Sequence, residues 1–196
     1  FSTTNAGKPI ISQHVDLIGD IDMSFTDKIN PNVDVLFLCL GHGRSRSFLE
    51  ENKVSENTKI IDLGNDFRLA KEATFENRNF IYGLPELNKK DIIEADNIAN
   101  PGCFATAIQL ALLPLAKENM LNDSVHVNAT TGSTGAGVVP GDTTHFSWRD
   151  NNFSSYKVFK HQHLDEINQS LEQLQKASIA PLYFVPNRGN FSKGIY

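Results

Sequence analysis

The feature that most constrains this chain is a short continuous apolar run, Val33 to Leu40, closed by Gly41-His42-Gly43. Such a run suits a strand covered on both faces, as in a parallel sheet, and the glycines after it make a tight turn. Arg44 to Asn52 then reads as a short helix and Lys59 to Leu63 as a second strand. Strand, helix and strand at this spacing predict a βαβ unit with a right-handed crossover.

Beyond it, Gly64 to Ala99 reads as loop-rich, with a brief strand at Asn97-Ile98-Ala99 running into Asn100-Pro101-Gly102. At Cys103 the periodicity changes. Phe104, Ala107, Ile108, Ala111, Leu112 and Leu115 recur at helical spacing, with Pro114 expected to kink the helix. From Ser124 to Thr131, Val125, Val127 and Ala129 alternate with His126, Asn128 and Thr130, which predicts a half-buried strand. Gly132 to Gly141 is a glycine-rich loop. His163 to Lys176 is an amphipathic helix with Leu164, Ile167, Leu171 and Leu174 on one stripe, and Leu182 to Val185 is a strand. The expectation is an open parallel α/β domain over residues 1–100 and a mixed α+β domain over 101–196, with no internal repeat.

Net charge −5 and pI ≈ 5.6, without a basic stripe, argue for a small-molecule partner rather than nucleic acid. No apolar run approaches the ~18–20 residues that span a bilayer, and the first residues do not resemble a signal peptide. Both ends read as cut rather than finished. The 2 cysteines form neither a disulfide framework nor a CxxC pair, which fits a reducing cytoplasm. Cys39, inside the apolar run, reads as a buried, inert thiol.

Cys103 is different. It opens a helix straight after Pro101-Gly102, where unpaired N–H groups and the helix dipole stabilise a thiolate. Its partner in proton transfer has to come from His14, His42, His126, His145, His161 and His163. His161 and His163 stand together before a helix. No third ligand at a recognised spacing supports a metal there. His42, between glycines at a strand end, reads as a ligand-side residue. Gly132-Ser133-Thr134-Gly135-Ala136-Gly137 could present backbone N–H groups to an anion. Asp62, Asp66 and Arg68 read as a salt-bridged turn, and Tyr82-Gly83-Leu84-Pro85-Glu86 as a rigid loop.

Taken in order, several segments resemble the N-acetyl-gamma-glutamyl-phosphate reductase family of arginine biosynthesis. They are Asn5-Ala6-Gly7-Lys8, Asp62-Leu63 with Asp66 to Leu69, Tyr82 to Asn88, Asn100-Pro101-Gly102-Cys103, Gly132 to Gly137, His161-Gln162-His163 with Glu166, and Arg188-Gly189. The cysteine segment also resembles the wider aspartate-semialdehyde dehydrogenase group. The resemblance implies a Rossmann-type parallel sheet, incomplete at the N-terminus, followed by an α+β domain like that of glyceraldehyde-3-phosphate dehydrogenase, incomplete at the C-terminus. It implies an oxidoreductase that uses NADPH to reduce an acyl phosphate to a semialdehyde, with Cys103 as nucleophile and His161 as the proton-transfer residue. His163 and Glu166 would orient His161 or bind substrate, with Ser133 and Arg188 as further substrate contacts. Thr3, Thr4, Gly41, His42, Gly43, Asn100, Thr134 and Gly135 would contact NADP, Thr3 and Thr4 near the adenosine ribose and its 2′-phosphate. A homo-oligomer, dimer or tetramer, is implied as well.

The chain departs from the family in three ways. It has no glycine-rich dinucleotide fingerprint. The family's closing C-terminal strands and helix are absent. Its loop carries Thr134 and Val138 where many members carry serine and a basic residue. The variant loop leaves an N-succinyl substrate as an alternative to the N-acetyl one. Two rival readings also stand: a thiol hydrolase or acyltransferase using Cys103 and His161 without nicotinamide, and a non-catalytic scaffold.

Overall fold

A computed structural model describes residues 1–137, 139 and 141–196. Val138 therefore lies outside the described residues. The first 30 or so residues carry only short 3₁₀ turns at Ile10–Ser12 and Val15–Leu17. The βαβ unit follows as β1 (Val35–Leu38), α1 (Ser45–Glu51) and β2 (Lys59–Asp62). After it come β3 (Thr74–Phe75), β4 (Arg78–Tyr82), α2 (Pro85–Glu94) and β5 (Asn97–Ala99). The sheet order is β1-β2-β5-β4-β3, parallel except for the β3–β4 pair. The segment expected to be loop-rich thus contains two strands and a helix. Tyr82 ends β4, and Pro85 starts α2 at the position where a missing N–H costs nothing.

The expected two-sided burial of the first strand fails on one side. Leu38 is buried, but β1 is an edge strand and its alternate residues Val35 and Phe37 are 42% and 60% exposed. Cys39 beyond it is exposed, so it is not the core thiol that its apolar neighbours suggested.

The second half comprises α3 (Cys103–Lys117), β6 (Val125–Thr131), α4 (Phe146–Arg149), β7 (Ser154–Ser155), α5 (His163–Leu174) and β8 (Leu182–Arg188). Here β8 is central, parallel to β6 and antiparallel to β7. Pro114 sits in the last turn of α3, within the helix. One core gathers Leu38, Ile60, Phe67, Phe80 and Ala99, with Phe67 and Phe80 stacked at 3.9 Å. The other gathers Phe104, Ile108, Leu112, Ile167, Leu171 and Phe184, where the apolar stripe of α5 meets α3.

The polar side of α5 reaches the first half. Gln169 accepts the Ala70 N–H at 2.7 Å and donates to the Arg68 carbonyl at 3.1 Å, while Gln173 donates to Asn88 at 3.1 Å. One helix therefore packs into the second core and hydrogen-bonds to the first half, and its first turn lies where the two halves meet. Among the described residues no helix is long and apolar enough to cross a membrane.

Candidate active site

Where the halves meet, a cavity of about 660 Å³ is lined by Cys103, His161, His163, Tyr156, Arg188 and His42, among others. Cys103 is the first residue of α3, so its side chain stands beside the N–H groups of the opening turn. Gly102 has extended backbone geometry and no room for a side chain: a Cβ there would lie 2.3 Å from Nε2 of His163. The glycine lets the imidazole lie against the backbone that carries the cysteine.

His161 and His163 are both buried, with ring centroids 4.5 Å apart. Phe104, Tyr156 and Phe184 surround the His161 ring. Its Nδ1 accepts the His163 backbone N–H at 3.2 Å. The neutral ring consequently carries its proton on Nε2. Burial, and then the Lys157 charge, lower the His161 pKa to about 4. Burial lowers that of His163 to about 3, helped by the His161, Arg68, His42 and Lys157 charges. Both rings are neutral near pH 7. His14, His126 and His145 do not line the cavity.

Under the cysteine lies Glu166, 3% exposed. Its oxygens are occupied by protein donors: Arg68 Nη1 at 3.0 Å, Tyr82 hydroxyl at 2.7 Å and the Gly102 N–H at 3.1 Å. Arg68 also donates through Nε to the Asn100 carbonyl at 2.9 Å. Glu166 does not line this cavity, and its bond to the Gly102 N–H ties it to the backbone that carries Cys103. Local sequence puts Arg68 in a salt-bridged turn and Tyr82 in a rigid loop. Both instead belong to this network, as does Gln109 of α3, whose Nε2 donates to the Tyr82 hydroxyl at 2.7 Å. The only signal for Gln109 was an amide among apolar residues on the inner face of α3.

The opposite wall carries Arg188, whose guanidinium lies 4.5 Å over the Tyr156 ring and 3.4 Å from Thr143 Oγ1. Its buried Nε has no partner. Lys157 donates to Gln162 at 2.8 Å. Among the described residues no carboxylate pairs with either cation.

The glycine-rich loop pairs with the last residues of the chain. The N–H groups of Gly132, Ser133 and Thr134 bond to the carbonyls of Gly194, Phe191 and Ser192, and the Thr134 hydroxyl also donates to Ser192 at 2.7 Å. Backbone pairing with residues 191–194 takes up these three donors of the loop. Of this loop Gly135 and Ala136 line the cavity, and Ser133 and Thr134 do not.

On the first half, Gly41 and Gly43 hold positive φ, 85° and 71°, around His42. The N–H groups of Gly43, Ser45 and Arg46 all go to the Asp66 carboxylate, at 2.8, 3.1 and 3.3 Å. Asp66 thus caps α1 and fills the place where a phosphate could have sat. His42 and Asn100 line the cavity, whereas Thr3 and Thr4 lie in the exposed N-terminal segment and do not.

The chain belongs to the semialdehyde dehydrogenase family. Residues 1–95 match its NAD binding domain and residues 103–196 its dimerisation domain. All of the chain aligns with N-acetyl-gamma-glutamyl-phosphate reductases. It is 66% identical to that of Flavobacterium johnsoniae and 54% identical to that of Bacteroides fragilis strain ATCC 25285. It spans 60% of the length of each of these relatives. Its fold is shared with aspartate semialdehyde dehydrogenase II of Vibrio cholerae (TM-score 0.61, 14% identity, 99% of this chain and 62% of that one). The Candida albicans enzyme, solved with NADP, matches equally well (TM-score 0.61, 13% identity, 100% and 60%).

Proposed function

We propose that this chain carries the reaction centre of an NADPH-dependent reductase that converts N-acetyl-gamma-glutamyl phosphate to N-acetylglutamate semialdehyde and phosphate. The observation that carries it is a helix-start cysteine opening into the same cavity as two buried neutral histidines and an unpaired arginine. The names of the relatives supply the substrate.

Cys103, as thiolate, attacks the acyl carbonyl. The carbon–sulfur bond forms, the carbon–oxygen bond to phosphate breaks, and the acyl group remains as a thioester. His161, with its proton on Nε2, donates to the oxygen that gains charge and supplies or takes the proton as the product aldehyde forms. Arg188, with no acid paired to it among the described residues, holds an anionic group of the substrate. His163 packs under the Cys103 backbone and Glu166 fixes it from below.

The turn at Gly41-His42-Gly43 fits the nicotinamide end of the cofactor. Nothing lies within 4 Å of where a Cβ would stand on either glycine, and the turn opens beside Asn100 at the carboxyl end of the sheet. NADPH held there would supply the hydride to the thioester carbon, and breaking of the carbon–sulfur bond would free the aldehyde and return the Cys103 thiolate. Because Asp66 takes the N–H groups of Gly43 and of the first turn of α1, the cofactor's phosphates would have to be held elsewhere.

The same reading assigns residues 1–100 to cofactor binding and residues 101–196 to catalysis and subunit contacts, in a cytoplasmic homo-oligomer. The test uses a protein of the relatives' full length. Given semialdehyde and phosphate it should reduce NADP, and Cys103→Ala should lower the rate by about 10⁴-fold or more. Acyl transfer to water without nicotinamide turnover would sink the reading. Assay with the N-succinyl analogue decides the acyl group.

A further inference from the structure

We infer that Tyr82 and Gln109 are positioning residues for the Cys103 nucleophile, acting through Glu166 on the backbone of Gly102. The inference rests on the proposed function only for the reaction that Cys103 performs.

The hydrogen bonds form a ring that closes on α3 itself. Gln109, six residues along from Cys103 on that helix, donates to the Tyr82 hydroxyl at 2.7 Å. The hydroxyl has one proton, and because the amide is a donor, that proton goes to Glu166 Oε2 at 2.7 Å. The same oxygen accepts the Gly102 N–H at 3.1 Å, which returns to the residue preceding Cys103. Arg68 locks the other carboxylate oxygen and, through Nε, the Asn100 carbonyl. The segment carrying the nucleophile is held on both sides of Pro101.

Gln109 is what makes this more than packing. Its side chain is fully buried, and its Oε1 has no partner. An orphaned buried acceptor is costly, and a leucine of similar volume would remove that cost. The amide is explained by the single bond it donates, which orients the Tyr82 proton toward Glu166.

The consequence falls on the thiolate. Glu166 is a carboxylate beneath a group that must itself become an anion. Three donors absorb its charge. Removing the Tyr82 hydroxyl leaves more of that charge to oppose the thiolate and loosens Gly102, and both effects slow attack by sulfur.

The test is native-state alkylation of Cys103 by iodoacetamide at pH 7 in a protein of the relatives' full length carrying Cys39→Ser, with labelling read on the Cys103 peptide by mass spectrometry. Tyr82→Phe should slow alkylation about tenfold, and Gln109→Leu about threefold, the range expected for one hydrogen bond to a charged group or its neutral support. Gln109→Leu should melt no lower than the parent, because it removes the orphaned oxygen. It carries the test if Tyr82→Phe does not fold. In reductase assays kcat should fall by similar factors with KM unchanged. Parental alkylation rates in folded Tyr82→Phe and Gln109→Leu would overturn the proposal, as would a loss of stability with no change in rate. Slowed alkylation in a protein whose parent reduces no acyl phosphate would instead leave this inference standing and defeat the reductase reading.

Discussion

The floor and the far wall of the cavity are built on opposite electrostatic plans. In the floor, the Arg68 guanidinium meets the Glu166 carboxylate at 3.0 Å, both nearly inaccessible, and further hydrogen bonds satisfy the pair. On the wall, Arg188 and Lys157 face the same space, and among the described residues no carboxylate lies against them and one buried guanidinium nitrogen has no acceptor. A buried charge with all its partners fixes geometry. A cation that faces the cavity without one is available to a ligand. The contrast separates what aims the nucleophile from what receives the substrate.

The largest effect should come from unbalancing the floor. Glu166→Ala strands the Arg68 charge and frees the Gly102 N–H, so it should lower the unfolding free energy by about 3–5 kcal/mol, measured by urea denaturation. The double variant Arg68→Met/Glu166→Leu removes both charges together and should recover much of that loss while leaving Cys103 sluggish. If Glu166→Ala proves as stable as the parent, the ion pair is not sealed from water and the comparison collapses.

On the wall the same kind of change should cost binding rather than folding. Arg188→Ala should raise KM for the acyl phosphate about 10- to 100-fold, the worth of a hydrogen bond between charged groups, with kcat changed much less. Its urea midpoint should stay near the parent's. An unaltered KM together with a lowered midpoint would make Arg188 a structural residue stacked on Tyr156.

How much of this was legible in the sequence follows from the range of the interactions. The βαβ unit was readable because its apolar run, glycine turn and second strand are local. Cys103 was readable for the same reason, since Pro101-Gly102 fixes the start of α3 within a few residues. β4 was not readable, because Arg78 and Asn79 at its start blur the alternation that Phe80 and Tyr82 continue. Arg78 is there to donate to the Thr58, Val54 and Ser55 carbonyls. Cys39 follows Val35 and Phe37 on the one face of this segment that nothing among the described residues covers, which no local pattern states. The floor was the least legible part. Tyr82 and Glu166 are 84 residues apart and Arg68 and Glu166 are 98 apart, so nothing in either neighbourhood announces the other.

The two histidines between floor and wall give the smallest and most gradual effect. Unfolded, each titrates near ~6.5, while in the fold burial lowers His161 to about 4 and His163 to about 3. Above pH ~6.5 both states hold them neutral, and the stability they permit is fully present. As the pH falls from there toward the folded values, the unfolded chain takes up protons that the folded chain refuses. Stability is then lost at up to about 1.4 kcal/mol per pH unit for each ring. Urea titrations at pH 7.5, 6.5 and 5.5 isolate this, because ordinary carboxylates near ~4 remain ionised across that window. His163→Asn should flatten the slope by about 1 kcal/mol per unit at its acid end. Parallel slopes in variant and parent would mean that His163 takes a proton within the fold. The ring lies 3.8 Å from Glu166 Oε1, so that proton would bind His163 to the floor, which would then extend up to the cavity itself.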